Sequence, residues 1–285
     1  PSYVSKEMAS LDVDAKAKGL VFLNEMGLDP GIDHMSTMKI YDEICSDGGG
    51  LYSYKSFTGG LVAKKSDTTP WHYKFSWNPR NVIIAGQGGD TKYKENSQLK
   101  VLQYEQLFKE SENLKLSNGT QFDAYANRDS LKYEELYNWK NVSTLLRGTL
   151  RFSGFCDAWA VLIDLGLTND EKSLEGLIGI NQKDFYSRFY QGELDDFLAK
   201  YSNDIQEKLI SIGFNDTETK VEMDGTPAQI LESILKVRWK LEPTDTDWIV
   251  MVHLIEYTKG DKKYQIESCL SLEGDDNKYT AMSKT

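Results

Sequence analysis

Leu20-Val21-Phe22-Leu23-Asn24-Glu25-Met26-Gly27-Leu28-Asp29-Pro30-Gly31-Ile32-Asp33-His34 is the stretch on which the fold turns. Its first six residues form an apolar run with β-branched and aromatic members, which reads as a short buried strand over 20–25. Two Gly and a Pro then mark a loop. From about His34 to Cys45, Met38, Tyr41 and Cys45 line one helical stripe. Upstream, Lys6–Lys18 reads as a helix with Met8, Leu11 and Ala15 on one face, ended by Gly19. Helix, strand, Gly/Pro loop, helix is the rhythm of an α/β unit. Asp29 falls at the strand's C-terminal end, where open α/β sheets bind ligands and a helix N-terminus can hold an anion. The same position equally suits an Asp that only caps a turn.

Working outward, Asp47-Gly48-Gly49-Gly50 is a boundary. Strand patterns follow over Leu51–Thr58, Tyr73–Trp77 and Leu145–Phe152, with weaker ones over Val82–Ala85 and Val101–Leu107. From Ala158 to about Leu241 the spacing is helical, with stripes such as Ile205, Leu209 and Ile212. Gly225-Thr226-Pro227 starts a new helix over Ala228–Lys236. Trp248–Tyr257 and Tyr264–Leu272 flank Lys259-Gly260-Asp261, a hairpin with a Gly-containing turn.

The 285 residues are 40% hydrophobic and 27% charged, as in an ordinary globular protein. Every apolar run is shorter than the ~20 residues a membrane helix needs. The net charge of −11 argues against a nucleic-acid partner. Most of it lies between Asp164 and Leu235, where 15 acidic residues face 6 basic ones, as on a solvated helical face. Cys45, Cys156 and Cys269 are few and scattered, which suits a reducing cytoplasm.

Gly86-Gln87-Gly88-Gly89 lacks the Lys-Ser/Thr of a phosphate loop, and no Gly-x-Gly-x-x-Gly is present. His34, His72 and His253 are isolated and no Cys-x-x-Cys occurs, so no metal site is expected. Only six residues are Arg, and four of them, Arg80, Arg128, Arg147 and Arg151, lie in the middle of the chain. Arg presents a planar fork that grips a carboxylate or phosphate with two hydrogen bonds. Their clustering fits recognition of a small anion and fits structural ion pairs equally well; their polar, Gly-containing contexts lean toward the first.

Several segments resemble, in order, the glutamate-forming saccharopine dehydrogenases. They are Ser2-Tyr3-Val4-Ser5, the Asn24–His34 stretch, Ser56-Phe57-Thr58-Gly59-Gly60-Leu61 and Tyr73–Arg80. Asn127-Arg128-Asp129-Ser130, Leu146–Phe152 and Tyr279-Thr280-Ala281-Met282 continue the series. The resemblance implies an α/β (α+β) fold: a mixed-sheet substrate and dimerisation domain with a helical insertion, joined to the last βα unit of a truncated Rossmann domain. Residues 1–47 would be the remnant of that dinucleotide-binding domain. Residues 48–163 and 241–285 would be the substrate-binding domain, and 164–240 the acidic insertion. The missing Gly-rich loop would lie before Pro1, leaving this fragment inactive by itself.

What the family does implies hydride transfer between the CH–NH group of saccharopine and NADP (or NAD), giving glutamate and 2-aminoadipate semialdehyde. Asp29, Tyr3 and Thr58 would then be the catalytic candidates. Ser2, Tyr3, Asp29, Thr58, Gly59, Arg128, Thr149, Leu150 and Arg151 would bind substrate. Leu28, Asp29, Pro30, Gly31, Ile32, Asn78, Pro79 and Arg80 would meet the cofactor. Thr58 stands where fungal members usually carry Cys, and Asn78-Pro79 where a Ser pair is usual. Thr58 can donate a hydrogen bond but cannot be a thiolate, so proton handling would pass to Tyr3 or Asp29. A cytoplasmic homodimer acting on a substrate with several carboxylates, without metal, nucleic acid or membrane, is the expectation. A carboxynorspermidine-type reductase, or a non-catalytic dimerisation or binding module of the same fold, are the alternatives.

Overall fold

The computed structural model describes residues 3–139, 141–275 and 278–285. Two short helices, α1 (Lys6–Ser10) and α2 (Asp12–Ala17), lead through an irregular segment to α3 (Ile32–Ser46). There follow β1 (Gly50–Val62), α4 (Pro79–Ile83), β2 (Thr91–Glu95), β3 (Gln98–Leu102), α5 (Tyr104–Leu107) and β4 (Glu112–Lys115). Next come β5 (Gln121–Ala126), α6 (Lys132–Leu136), β6 (Thr144–Phe152) and α7 (Phe155–Asp164). Helices α8 (Gln182–Tyr186), α9 (Leu194–Leu198), α10 (Asn203–Ser211) and α11 (Pro227–Arg238) precede the hairpin β7 (Asp247–Lys259) and β8 (Lys262–Glu273), and α12 (Ala281–Lys284) closes the chain.

The eight strands make one mixed sheet of order β3-β2-β6-β1-β7-β8, with β5 also on β6 and β4 on β5. Only the central β1–β6 pair is parallel, with Ser56 opposite Arg147 and Thr58 opposite Thr149. Side chains alternate across a strand, and this sheet is covered on both faces. Phe57, Leu61, Leu146, Leu150, Val250 and Val252 point into the main core with α7 and α11. Tyr54, Leu145 and Ile255 point the other way, against Ile44 of α3 and Tyr133, Tyr137 and Trp139. Eight of the ten residues of α7 are buried. Only Asp157 and Asp164 of this helix reach solvent.

The β7–β8 hairpin, β1, β6 and α11 lie where the sequence patterns place them, each a little longer. Thr226 and Gln229 cap α11 reciprocally, with Pro227 in its first turn.

Five local expectations are corrected. Residues 20–25 form no strand and have no ladder partner among the described residues, Glu25 sits in the left-handed region at φ +54°, and Val21 is 82% exposed. A buried strand exists only between neighbours that pair with it, which an apolar run cannot reveal. Tyr73–Trp77 is a loop with one bridge, Phe75 to Lys240; its aromatics alternate because Tyr73 and Phe75 pack on Trp239. Val82–Ala85 belongs largely to α4, started by Asn78 accepting from the Arg80 N–H at 3.0 Å with Pro79 at the first turn. Lys6–Lys18 breaks at Leu11 into α1 and α2, neither with a buried residue. The weaker pattern over Val101–Leu107 divides between the end of β3 and α5.

Candidate active site

The quoted loop closes on itself before α3. The Ile32 N–H donates to Gly27 O at 2.8 Å and the Gly27 N–H to Pro30 O at 3.1 Å. Gly31 makes this possible. Its φ is +148°, and a Cβ there would sit 2.1 Å from Gly27 O. Asp33, in the first turn of α3, accepts from the Gly31 N–H at 2.7 Å. The turn thereby presents Asp29 and Asp33 together to the sheet face that carries Ser56, Thr58, Arg147 and Thr149.

Arg147 rises from β6 between the two carboxylates. It donates to Asp29 Oδ1 at 2.9 Å and bonds Asp33 more closely, and its guanidinium lies 4.1 Å over the Tyr133 ring. Asp33 is fully buried. Burial, then the Asp29 charge, raise its pKa, against the pull of Arg147. Those two carboxylates hold the Arg147 cation well above its ordinary value despite burial. The Tyr3 hydroxyl donates to Asp29 Oδ1 at 2.6 Å. Burial, then Asp29, push this phenol far up, so it is a hydrogen-bond donor and never a phenolate at neutral pH. Both donors take Oδ1, and Asp29 Oδ2 accepts no hydrogen bond among the described residues.

Beneath this layer runs a polar chain. His253 of β7 lies between Ser36 Oγ, 2.7 Å from Nε2, and Ser56 Oγ, 2.9 Å from Nδ1. Thr37 Oγ1 meets Tyr54 Oη at 2.6 Å. Burial, then the Arg147 charge, bring His253 down to about 4. An unfolded His titrates near 6.5, so on acidification the unfolded chain takes up the proton first. The His253 contribution to stability is whole above about pH 6.5 and is lost between about 6.5 and about 4. Replacing His253 with Gln is expected to flatten that acid limb, read as a smaller fall in urea midpoint from about pH 7 to about pH 4.5.

The four central Arg residues do not converge. Arg147 alone holds Asp29. Arg80 bonds Asp170 and, at 3.4 Å, Glu232 of α11, so its charge is committed to the helical layer, and Asn78 and Pro79 serve the start of α4. Arg151 is buried, 5.0 Å over Tyr73 and 5.4 Å over Phe155. It donates to Leu150 O at 3.0 Å, has no carboxylate partner among the described residues, and its Nε is unpartnered. Arg128 sits in the left-handed region at φ +48°, exposed and without an ion pair among the described residues. Thr58 and Thr149 are half-buried neighbours on the site face, whereas Gly59 and Leu150 turn to the core and can offer only backbone there. Leu28 is buried beside Ile249 and Met251, with Ile32 against the same cluster; Pro30 is buried too. Ser2 lies outside the described residues. Sequence reasoning missed Asp33, Tyr133, Ser36 and His253.

The family model for the saccharopine dehydrogenase C-terminal domain matches residues 27–285. The chain belongs to that family. It is 31% identical over 306 residues to the saccharopine dehydrogenase (NADP(+), L-glutamate-forming) of Schizosaccharomyces pombe, covering 99% of this chain and 66% of that protein. With the enzyme of the same name from Pyricularia oryzae it shares 40% over 273 residues, covering 91% and 60%. The solved apo saccharopine dehydrogenase (L-Glu forming) of Saccharomyces cerevisiae superposes with a TM-score of 0.88 at 27% identity, over 99% of this chain and 66% of that one. This saccharopine dehydrogenase family chain therefore spans two thirds or less of the length of these relatives. Its mixed α/β fold is that of the family.

Proposed function

We propose that the intact protein oxidises or forms saccharopine with NADP, and that this chain supplies the substrate site and the proton-handling groups. The observation that carries the reading is Asp29. One of its oxygens is fixed by Tyr3 and Arg147 and the other accepts nothing among the described residues, on a face that also carries the half-buried Thr58 and Thr149. The names of the relatives, which state NADP(+) and L-glutamate formation, support the substrate and cofactor.

Saccharopine is a secondary amine flanked by carboxylates. In this reading Asp29 Oδ2 takes the amine proton and returns it when water adds and the carbinolamine collapses. Tyr3 and Arg147 keep the carboxylate in place. Thr58 and Thr149 offer hydroxyls to the same substrate. Arg128 and Arg151, lacking carboxylate partners among the described residues, are the carboxylate ligands.

A dinucleotide's phosphates need a Gly-rich loop opening a helix, and among the described residues there is none. In this reading the chain meets the nicotinamide end of the cofactor, around Leu28–Ile32. We assign the phosphates to a dinucleotide-binding domain preceding 48–163, of which residues 1–47 are the end. The solvent-facing Leu20, Val21, Phe22 and Leu23 support that assignment, since such a domain would give the run its missing strand neighbours. Residues 164–240 are the insertion within the substrate domain, which 241–285 completes. A cytoplasmic homodimer is part of the proposal, supported by three free thiols and by the exposed twelve-residue edge of β8.

A charge-assisted hydrogen bond contributes about 1.5–3 kcal/mol. Arg128→Ala in the intact protein should therefore raise KM for saccharopine roughly 10- to 100-fold while kcat changes little. Steady-state turnover of saccharopine with NADP checks this, and an unchanged KM removes Arg128 from the site.

A further inference from the structure

We propose that Lys132 is a carboxylate ligand of the substrate, forming with Arg128 a two-cation clamp at the Tyr3 side of the site. The inference rests on the saccharopine reading above and adds a residue that neither the sequence motifs nor the fold assigns.

Lys132 opens α6, two residues beyond the Asp129-Ser130 turn that sets Arg128 in its left-handed conformation. Its Nζ stands 4.7 Å from the centroid of the Tyr3 ring and 5.0 Å from that of its neighbour Tyr133. Tyr3 is the residue whose hydroxyl holds Asp29, and Tyr133 is the ring under Arg147. Lys132 is therefore tied through two aromatic faces to both partners of Asp29.

Asp129 and Glu25 attract the ammonium, but neither closes to ion-pair distance. Lys132 has no ion pair or hydrogen bond among the described residues. The acidic groups around it are otherwise engaged. Asp129 accepts from the Leu131 N–H at 2.9 Å, Glu25 from the Val4 N–H at 3.1 Å, and Asp29 and Asp33 are held by Arg147. A cation in the first turn of a helix also opposes the helix dipole. Its proton is held less tightly than usual, through partial burial and then the charges of Arg147 and Arg128. A carboxylate arriving at this point relieves all of these costs at once. The substrate supplies such groups, and Arg128 and Lys132 present one fork and one mobile ammonium for them.

The test uses the intact protein with saccharopine and NADP. Lys132→Met keeps most of the aliphatic stem over the Tyr rings and removes the charge; Lys132→Arg keeps the charge. A roughly 10-fold or larger rise in KM for Lys132→Met, with kcat within a few-fold, an unchanged melting temperature and KM recovered in Lys132→Arg, supports the clamp. An unchanged KM in Lys132→Met, or Lys132→Arg as impaired as Lys132→Met, overturns it while leaving the saccharopine reading standing. Absence of saccharopine turnover by the unsubstituted protein overturns that reading and the clamp with it.

Discussion

Replacing Arg147 with Met is expected to lower folding stability by about 3–5 kcal/mol, the cost of stripping one partner from a buried ion pair. Asp33 is wholly buried, and once the guanidinium is gone its carboxylate keeps the Gly31 N–H and, at 3.9 Å, the His34 ring. In a chain of this size the change corresponds to a melting temperature lower by roughly 10 °C. The pH dependence separates this cause from lost packing. A carboxyl whose folded pKa is raised holds its proton more tightly folded than unfolded. It costs nothing where both states are protonated and most above the folded pKa. Arg147 is the chief group opposing that rise. The stability gap between the two proteins should therefore be widest near pH 7 and close as pH falls toward about 4. Urea denaturation across that range measures it. A gap independent of pH would mean that Arg147 acts through its stem alone.

Gly31→Ala is expected to disable the site. At φ +148° no L side chain is comfortable, and the new Cβ would fall 2.1 Å from Gly27 O and 2.7 Å from Glu25 O. Both neighbours are backbone, so the loop itself must open. Opening forfeits the Ile32-to-Gly27 and Gly27-to-Pro30 hydrogen bonds and moves Asp29 away from Tyr3 and Arg147. Strain plus lost hydrogen bonds comes to about 3 kcal/mol or more. Catalysis should fall further than stability, because Asp29 loses its position even in molecules that stay folded. The check is kcat/KM for saccharopine in the intact protein beside its melting curve; near-normal kcat/KM would show that the turn geometry is dispensable.

The parts of the fold that were legible are those where local pattern and tertiary setting agree. The β7–β8 hairpin has a turn and two long runs, and α11 has Thr226-Pro227 at its head. Strands β2 and β4 were not legible because they are four or five residues long and mostly polar, and β5 because its six residues, Gln121–Ala126, interrupt an apolar run with Asp123. Residues 20–25 misled for the opposite reason, being apolar enough for a strand without a neighbour to pair with. In the site, Asp29 was visible through its Pro-Gly turn. Arg147 was visible as a residue type, but nothing local shows that Asp33, four residues past Asp29, is its second partner. His253 did carry a signal: it is a polar residue in a strand whose neighbours Met251, Val252, Leu254 and Ile255 are all apolar, whereas Ser56 stands beside Lys55 and Thr58 in an alternating strand. A residue placed like His253 needs a hydrogen-bond partner inside the protein, and here it finds Ser56 and Ser36.

The most direct measurement is a crystal structure of the intact protein with saccharopine bound. The secondary amine is expected within hydrogen-bond distance of Asp29 Oδ2, one carboxylate on Arg128 and the chain running along β6 past Thr149. Saccharopine seated on another face, with Asp29 and Arg128 both untouched, would contradict the account.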